Sequence, residues 1–237
     1  MNKKTIIIIF CFNVENFIKK TIYDLKKKKL FNCDYLYIDD GSTDATLKKI
    51  KKYLKLYNFK NYFIKINKIN CGYGKNYKTS FNFAISKGYK KLIFYHGDNQ
   101  YPSSKIYMLN KLLEKNDLVF GSRKKNYMSI KKNMPILRYI GNIFLTKFIN
   151  ILYKSKTSEY FSGFRGFKTS ALKKIQYQKL SDSWIIEQQV HFIFLKKKFR
   201  IKEIAIPTVY DGQSSYLPVI RYCSSVIYNA IKFYFLK

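Results

Sequence analysis

The sequence predicts an α/β fold, a doubly wound and mostly parallel sheet flanked by helices, with an amphipathic helix at its C-terminal end. Through the first half of the chain, short apolar runs of strand length alternate with helical patterns. Two of these runs are followed directly by polar loops that contain Asp, and ligands of such sheets bind beyond the carboxyl ends of the strands. A length of 237 residues suits one such domain with a small appendage.

The elements of the first half follow one another regularly. Strands are predicted for the apolar runs Thr5–Phe12, Tyr35–Ile38, Tyr62–Ile66, Leu92–Tyr95 and Leu118–Phe120. Helices are predicted where apolar residues recur at helical spacing, in Phe17–Lys29, Ala45–Leu56, Tyr77–Lys87 and Ile106–Glu114. Because a helix separates each pair of strands, we expect successive strands to be parallel.

The second half is less regular. Helices are predicted at Ile136–Tyr153, Ile185–Lys196 and Leu217–Leu236, a loop at Glu159–Phe167 and a strand at Ile201–Ile206. We therefore expect a domain over residues 1–212 and a helical extension over residues 213–237. The last helix has the length of a membrane span, but Arg221 and Lys232 would cost several kcal/mol in hydrocarbon. A helix lying at a membrane surface, packed on the domain or docked to a membrane protein is favoured over a span.

The chain is strongly basic, with a formal net charge of +32. Only five of its 46 basic residues are Arg, and the accompanying wealth of Asn, Ile, Tyr and Phe is typical of a low-GC genome. The charge would still attract nucleotide phosphates, anionic lipids and nucleic acid. A specific nucleic-acid-binding protein is disfavoured, because no helix-turn-helix or RNA-binding aromatic pattern stands out and carboxylate loops repel phosphates.

The cysteines and the chain start bear on the setting of the protein. None of the four cysteines forms a CxxC pair, which argues against a zinc site. No signal peptide is visible, because the apolar run Thr5–Phe12 is short. We expect a cytoplasmic protein that is peripheral on the inner face of the cell membrane.

Two adjacent carboxylates follow the second predicted strand, in YIDDGSTDAT (Tyr37 to Thr46). Desolvating an unpaired carboxylate costs several kcal/mol, so Asp39 or Asp40 must face a cleft, where it can accept hydrogen bonds from a base or a ribose. Gly41 permits the tight turn behind them. The alternative is an ordinary Asp-Gly turn that caps a helix.

A second polar loop follows the fourth predicted strand, in FYHGDNQYP (Phe94 to Pro102). His96, Asp98 and Gln100 alternate, so in an extended segment they share one face. Such groups suit Mg²⁺ or Mn²⁺ bound together with substrate phosphates, and a divalent ion offsets the charge of a leaving diphosphate. The alternative is a surface loop.

Four further residues could meet phosphate. Gly74 precedes a predicted helix, where backbone N–H groups bind anions, and Lys78 lies on that helix, although a solvated surface Lys is the commoner case. Arg123 ends the segment LVFGSR, and Arg165 lies in SEYFSGFRGF. Arg is scarce here and binds phosphate bidentately, whereas Lys does not. A structural salt bridge is the alternative for Arg123.

These loops, in this order and separation, resemble the family 2 glycosyltransferases with a GT-A fold over most of the chain. FCFNVEN is similar to the family's P-x-Y-N-E opening, which implies donor contacts for Phe12, Asn13 and Glu15. The DDGSTDAT loop implies that Asp40, with Asp39, contacts the base and ribose. HGDNQYP resembles the D-x-D-x-Q region of enzymes similar to dolichyl-phosphate mannose synthases, with His96 in place of the first Asp and with Asp98 and Gln100 in register as metal ligands.

The resemblance implies an inverting, metal-dependent transfer of a sugar from an NDP-sugar to a membrane polyprenyl phosphate. The runner-up is transfer to a saccharide hydroxyl, in which Glu187 takes the acceptor proton as general base. An ionised phosphate acceptor would need no base. An inactive relative that only binds sugar nucleotides, suggested by His96, is a third reading. In the segment Ile206 to Ser215, Tyr210 and Ser215 stand where some lipid-phosphate sugar synthases carry basic residues.

Overall fold

The computed structural model describes residues 5–28, 33–123, 136–207 and 219–236. The strands are β1 (Thr5–Cys11), β2 (Cys33–Asp39), β3 (Tyr62–Ile66), β4 (Lys91–His96), β5 (Leu118–Ser122), β6 (Arg165–Lys168) and β7 (Ile201–Ala205). The α-helices are α1 (Ile18–Lys27), α2 (Thr46–Leu56), α3 (Tyr73–Ser86), α4 (Ser104–Leu112), α5 (Ile136–Tyr153), α6 (Thr169–Leu172), α7 (Ile186–Lys196) and α8 (Val219–Phe235), with a 3₁₀ turn at Tyr177–Lys179.

The described strands form one sheet in the order β3-β2-β1-β4-β6-β5-β7. β1 pairs in parallel with β2 and β4, β2 with β3, and β5 with β7. β6 runs antiparallel to both of its neighbours, β4 and β5. The predicted α/β class with a mostly parallel sheet is confirmed. The carboxyl ends of the parallel strands β1, β2 and β4 lie at one edge of the sheet, and the two Asp loops follow β2 and β4 there.

Core residues cover both faces of the sheet. Along β1, Ile7 and Ile9 join a core that also contains side chains of α1, α2 and α4, and Ile6 and Ile8 join a second core with α3, α6 and α7. All four isoleucines are fully buried. Alternate side chains of a strand point to opposite faces, so a run apolar at every position belongs to a strand covered by helices on both sides.

Two predicted elements need correction. The expected loop Glu159–Phe167 contains the start of β6, which lies inside the sheet because Gly166 leaves room for α4: a Cβ there would lie 2.3 Å from Cδ2 of Leu109. The helix expected to begin at Tyr77 begins at Tyr73 instead. Gly72 precedes it with φ of +90°, a backbone conformation that glycine adopts without strain.

A third core joins α5, α7 and α8. Leu145 and Ile149 of α5 pack with Phe192 of α7 and with Val226 and Ala230 of α8. The C-terminal helix therefore packs on the domain through one face. The predicted boundary after residue 212 lies outside the described residues, and the predicted division into two units stays a prediction. None of the helices in the described ranges has the length and hydropathy that crossing a bilayer requires.

Candidate active site

A cleft of about 290 Å³ opens at the carboxyl ends of β1, β2 and β4. Its lining combines aromatic, polar and acidic side chains: Phe10, Cys11, Phe12, Val14, Ile38, Asp40, Asn70, Tyr73, Asn76, His96 and Asp98. Asp40 follows β2, and Asp98 follows β4. The structure thus brings one Asp from each predicted loop into the same cleft.

Asp40 shapes the cleft wall as well as lining it. Its Oδ1 accepts hydrogen bonds from Asn67 Nδ2 (2.8 Å) and from the Cys71 backbone N–H (2.9 Å), and its Oδ2 accepts one from the Gly72 N–H (3.3 Å). These bonds fix the loop at residues 67–72 across the end of β2. A carboxylate has about four acceptor sites, so capacity remains for a ligand hydroxyl.

Asp39 and Asn13 hold the neighbouring turn. The Asp39 carboxylate accepts a hydrogen bond from the Ser42 hydroxyl at 2.5 Å, and Asp39 is only 2% exposed. Asn13 donates its backbone N–H to Ser42 Oγ (3.0 Å), while its side-chain oxygen accepts from the Thr43 N–H (2.9 Å). Neither Asp39 nor Asn13 is among the residues that line the cleft. Both residues support the turn in this structure, and the direct donor contacts predicted for them stay predictions.

The residues of the opening motif FCFNVEN lie partly in the cleft and partly on the surface. Phe12 lines the cleft and is 46% exposed, so its ring is free to meet a ligand. Glu15 forms an ion pair with Lys49 at 3.1 Å on the surface, and it does not line the cleft. The expected donor contact is consistent with the position of Phe12 and is not made by Glu15 in this arrangement.

The segment after β4 turns sharply, which corrects the expected metal face. Gln100 donates its backbone N–H to Oδ1 of Asp98 at 3.1 Å, and Asn99 has φ of +58°. Because the segment is a turn and not extended, His96, Asp98 and Gln100 do not share one face. His96 and Asp98 line the cleft, whereas Gln100 lines a neighbouring cavity of about 320 Å³ that Asp98 also borders.

The residues of the cleft fit a weakly protein-ligated divalent cation. Within the described ranges, no three His, Cys, Asp or Glu side chains cluster as a metal cage. Mg²⁺ commonly needs only one or two carboxylates beside waters and substrate phosphates, so Asp98 at the cleft wall suits it. Burial first, and then the charges of Asp39 and Asp98, raise the pKa of the Cys11 thiol well above its usual value.

A hydrogen-bonded chain runs from the cleft into the protein. Oε1 of Glu187 accepts hydrogen bonds from the hydroxyls of Tyr73 (2.5 Å) and Tyr77 (3.0 Å), and the Tyr73 hydroxyl lies 3.3 Å from Nε2 of His96. Burial, and then the Glu187 charge, raise the pKa of Tyr73 well above its usual value, so its hydroxyl keeps its proton. Glu187 is 7% exposed, does not line the cleft, and is connected to it through the Tyr73 hydroxyl. Neither tyrosine was predicted from the sequence as a site residue.

Arg165 is buried in the core, where it contacts only protein groups among the described residues, and the expected phosphate contact stays a prediction. The residue is 0% exposed, and its guanidinium donates to the backbone oxygens of Ser162 (2.8 Å), Glu187 (3.1 Å) and Tyr160. It also lies 3.2 Å from Nδ1 of His191, which must accept because guanidinium nitrogens only donate. Burial, and then Arg165, lower the pKa of His191 well below its usual value.

Arg123 is engaged by Glu159. Its Nε donates to Oε1 of Glu159 at 2.7 Å, and its backbone N–H donates to Oε2 of the same carboxylate at 2.7 Å. The Glu159 side chain is 1% exposed and that of Arg123 is 13% exposed. The salt bridge that was the alternative for Arg123 is present in this structure. Arg123 does not line the cleft, and its phosphate-binding role stays a prediction.

Gly74 and Lys78 serve the packing of α3. The Gly74 N–H donates to the Asp182 carbonyl at 2.9 Å, so it is not available to a phosphate. A Cβ at Gly74 would lie 2.5 Å from the Ser181 carbonyl oxygen, which explains the absence of a side chain there. Lys78 pairs with the Asp182 carboxylate at 2.9 Å. Both residues thus contact the loop at residues 181–183, and the phosphate-binding roles expected for them stay predictions.

The chain is similar in sequence to a protein family and to individual proteins of other organisms. A family model described as Glycosyl transferase family 2 matches residues 6–176. The chain is 32% identical to an uncharacterized protein of Methanocaldococcus jannaschii, over 98% of this chain and all of that protein. It is 28% identical to the UDP-N-acetylglucosamine–dolichyl-phosphate N-acetylglucosaminyltransferase of Methanococcus voltae, over 90% of this chain and 88% of that enzyme.

Solved structures agree on the fold. The crystal structure of glucosyl-3-phosphoglycerate synthase from Mycobacterium tuberculosis, in complex with Mn²⁺, uridine diphosphate and phosphoglyceric acid, superposes with a TM-score of 0.67 at 12% sequence identity. The match covers 99% of this chain and 80% of the synthase. The chain belongs to glycosyl transferase family 2 and is a glycosyltransferase with a GT-A fold.

Proposed function

We propose that this enzyme transfers a sugar, with inversion, from an NDP-sugar to a polyprenyl phosphate. The observation that carries the proposal is the shared cleft, in which Asp40 and Asp98 come from loops after two different strands. The Methanococcus voltae relative, whose name gives a UDP-sugar donor and a dolichyl phosphate acceptor, matches this chain over most of both lengths. Its name supports the choice of a lipid phosphate acceptor.

The nucleoside of the donor would occupy the side of the cleft next to β2. Asp40 retains acceptor capacity for a ribose or base donor, and Phe12 offers an exposed ring beside it. Asn70 and Asn76 line the same side with further polar groups. The bonds from Asp40 to residues 67–72 fix this wall before the donor binds, so little conformational entropy is lost on binding.

The diphosphate would lie toward Asp98 and His96. Asp98, with His96 beside it, would hold Mg²⁺ or Mn²⁺ together with the donor phosphates. When bound, such an ion neutralises the charge that grows on the leaving diphosphate. The Mycobacterium tuberculosis synthase, which shares the fold, binds Mn²⁺ and uridine diphosphate, and this supports the proposed cofactor class.

The position of Glu187 favours a phosphate acceptor. A general base must reach the proton that it removes, but Glu187 does not line the cleft and its Oε1 already accepts two tyrosine hydroxyls. An ionised phosphate oxygen attacks without a base. The hydroxyl-acceptor alternative retains one supporting observation, since Tyr73 connects Glu187 to the cleft.

Glu187→Gln separates the two acceptors. A Gln side-chain oxygen still accepts the two tyrosine bonds, so transfer to polyprenyl phosphate is expected to stay within about tenfold of wild type. A general base contributes about 10²–10⁴ in rate, so transfer to a hydroxyl acceptor would nearly vanish. The assay is product formation from a panel of NDP-sugars, with polyprenyl phosphate or with oligosaccharide acceptors. Donor binding, measured by calorimetry, is the control for an intact site.

Loss of more than about a hundredfold in Glu187→Gln, with donor binding unchanged, would contradict the phosphate-acceptor assignment. Wild-type transfer to oligosaccharides and not to lipid phosphate would contradict it as well. Donor binding without transfer to any acceptor would favour the reading as an inactive relative. Because the proposed acceptor is embedded in a membrane, we also propose that the working enzyme lies at the cytoplasmic face of the membrane.

A further inference from the structure

We infer that the outer faces of α5 and α8 form a docking surface for an anionic lipid bilayer. This inference rests on the proposed function, because a polyprenyl phosphate is presented by a membrane. The α5–α8 surface consists of the exposed side chains that recur along the two helices: Leu137, Ile140, Phe144, Lys147, Ile151, Ile220, Tyr228, Ile231 and Phe235.

On α5, the exposed residues recur at intervals of three and four and are mostly apolar. Leu137, Phe144 and Ile151 are 71%, 58% and 79% exposed, and Lys147 interrupts this stripe. The opposite face carries Leu145 and Ile149, which are fully buried. The outer face of a helix in a soluble domain is normally polar, so a stripe of this kind marks an interaction site.

On α8, the same division is found. Ile220, Tyr228 and Phe235 are 85%, 63% and 72% exposed, whereas Val226 and Ala230 are fully buried. The two helices are held together, since the Tyr153 hydroxyl at the end of α5 donates to the Ala230 carbonyl at 2.8 Å. Two adjoining helices are therefore fixed to the domain by one face and expose large apolar side chains on the other.

The charge of the surface selects a lipid partner. Neither α5 nor α8 contains Asp or Glu, Lys147 lies within the apolar stripe of α5, and Arg221 and Lys232 are exposed on α8. Apolar, aromatic and basic side chains on one face are typical of helices that lie in a membrane interface and attract anionic head groups. A second copy of the chain would instead bring like charges together.

The surface is connected to the site. Tyr222, in the first turn of α8, stacks on Trp184 with ring centroids 4.9 Å apart and contacts Phe161 at 5.7 Å. Trp184 lies two residues before the helix that carries Glu187, and the Phe161 carbonyl accepts a hydrogen bond from Arg123. The helix α8, which would contact the bilayer, therefore packs on Trp184 and Phe161. These two residues connect it to the segments that carry Glu187 and Arg123.

Vesicle flotation tests the inference with matched double variants of the whole chain. Wild type is expected to float with phosphatidylcholine–phosphatidylglycerol vesicles and much less with phosphatidylcholine alone. Phe144→Ser with Ile151→Ser, and separately Ile220→Ser with Tyr228→Ser, are each expected to lower vesicle partitioning about tenfold. The control is Leu56→Ser with Tyr107→Ser, which removes side chains that are 63% and 64% exposed elsewhere on the surface and should leave flotation unchanged.

Equal losses in the control, or no flotation of wild type, would overturn the docking surface. So would a wild-type dimer, measured by light scattering, that either helix variant converts to a monomer, because the faces would then bind a second copy. Transfer to detergent-dispersed polyprenyl phosphate separates this inference from the proposed function. Activity in detergent without flotation defeats the docking surface alone, whereas the expected flotation pattern without transfer in detergent defeats the proposed function alone.

Discussion

Arg165 is a fully buried cation whose observed hydrogen bonds run to neutral acceptors. It joins the loop that carries Tyr160 and Ser162 to the first turn of α7, and thereby to the backbone of Glu187. The Phe120 ring lies 5.9 Å from the guanidinium carbon and adds a cation–π contact. The residue therefore acts on the site by fixing the helix that bears Glu187.

Arg165→Met is expected to lower the free energy of unfolding by about 3 kcal/mol or more, because it leaves buried carbonyl oxygens without donors. Arg200→Met is the matched control: the Arg200 side chain is 64% exposed and pairs with Asp117, so its loss should cost no more than about 1 kcal/mol. Denaturant unfolding measures both variants. If Arg165→Met keeps the stability of wild type but loses donor or acceptor binding, the result would contradict a structural role and support phosphate binding by Arg165.

For single residues, the sequence indicates which side chains to examine but not what each side chain contacts. Arg123 and Arg165 were predicted to bind phosphate partly because Arg is scarce in this chain, but scarcity does not distinguish a phosphate ligand from a buried structural residue. The bond from Tyr73 to Glu187 joins residues 114 positions apart, which no local pattern reveals. One signal was available, since Tyr73 and Tyr77 are four residues apart and lie on one helical face.

The start of α3 is held by backbone contact with the loop at residues 181–183. Gly74 makes that contact possible, because its Cα approaches the Ser181 and Ser183 carbonyl oxygens too closely for a side chain. The same turn carries Tyr73, and the loop leads into α7 and Glu187. The junction therefore sets the spacing between the two ends of the Tyr73–Glu187 hydrogen bond.

Gly74→Ala is expected to destabilise the protein by about 1–3 kcal/mol, since the new methyl group overpacks a backbone contact. Lys75→Ala, at the adjacent exposed position, should change the free energy of unfolding by no more than about 0.5 kcal/mol. Thermal or denaturant unfolding of the pair checks this. Unchanged stability in Gly74→Ala would show that the backbone contact with residues 181–183 shifts at little cost. The Gly74 N–H could then also leave that contact to bind a phosphate.

Elements with a strong pattern were predicted well and those without one were not. The apolar run of β1 and the helical spacing of α2 specify elements close to those observed. β6 has only four residues, including Arg165 and Gly166, and is stabilised by pairing with β4 and β5 far away in sequence. Its strand character comes from its neighbours in the sheet, so periodicity could not show it.

On the scale of the whole molecule, the acidic cleft differs in charge from the two helices α5 and α8. Asp40 and Asp98 gather in the cleft of a chain whose net charge is +32, and α5 and α8 carry no acidic residue. In the proposed function, the carboxylate pair recruits a divalent ion with a nucleoside diphosphate. In the proposed docking surface, the basic apolar helices bind lipid. The sequence predicted the two Asp loops and a C-terminal amphipathic helix, but the packing of α5 against α8 is visible only in the folded chain.

Calorimetric titration of NDP-sugars, with and without Mn²⁺, tests the central claim that the cleft is a donor site. Wild type should bind at least one NDP-sugar, and Mn²⁺ should tighten binding about tenfold or more through Asp98. Asp98→Asn should lose that Mn²⁺-dependent gain, whereas the control Asp117→Asn, at the ion pair with Arg200, should keep it. Failure of wild type to bind any NDP-sugar, or an undiminished Mn²⁺ effect in Asp98→Asn, would contradict the account.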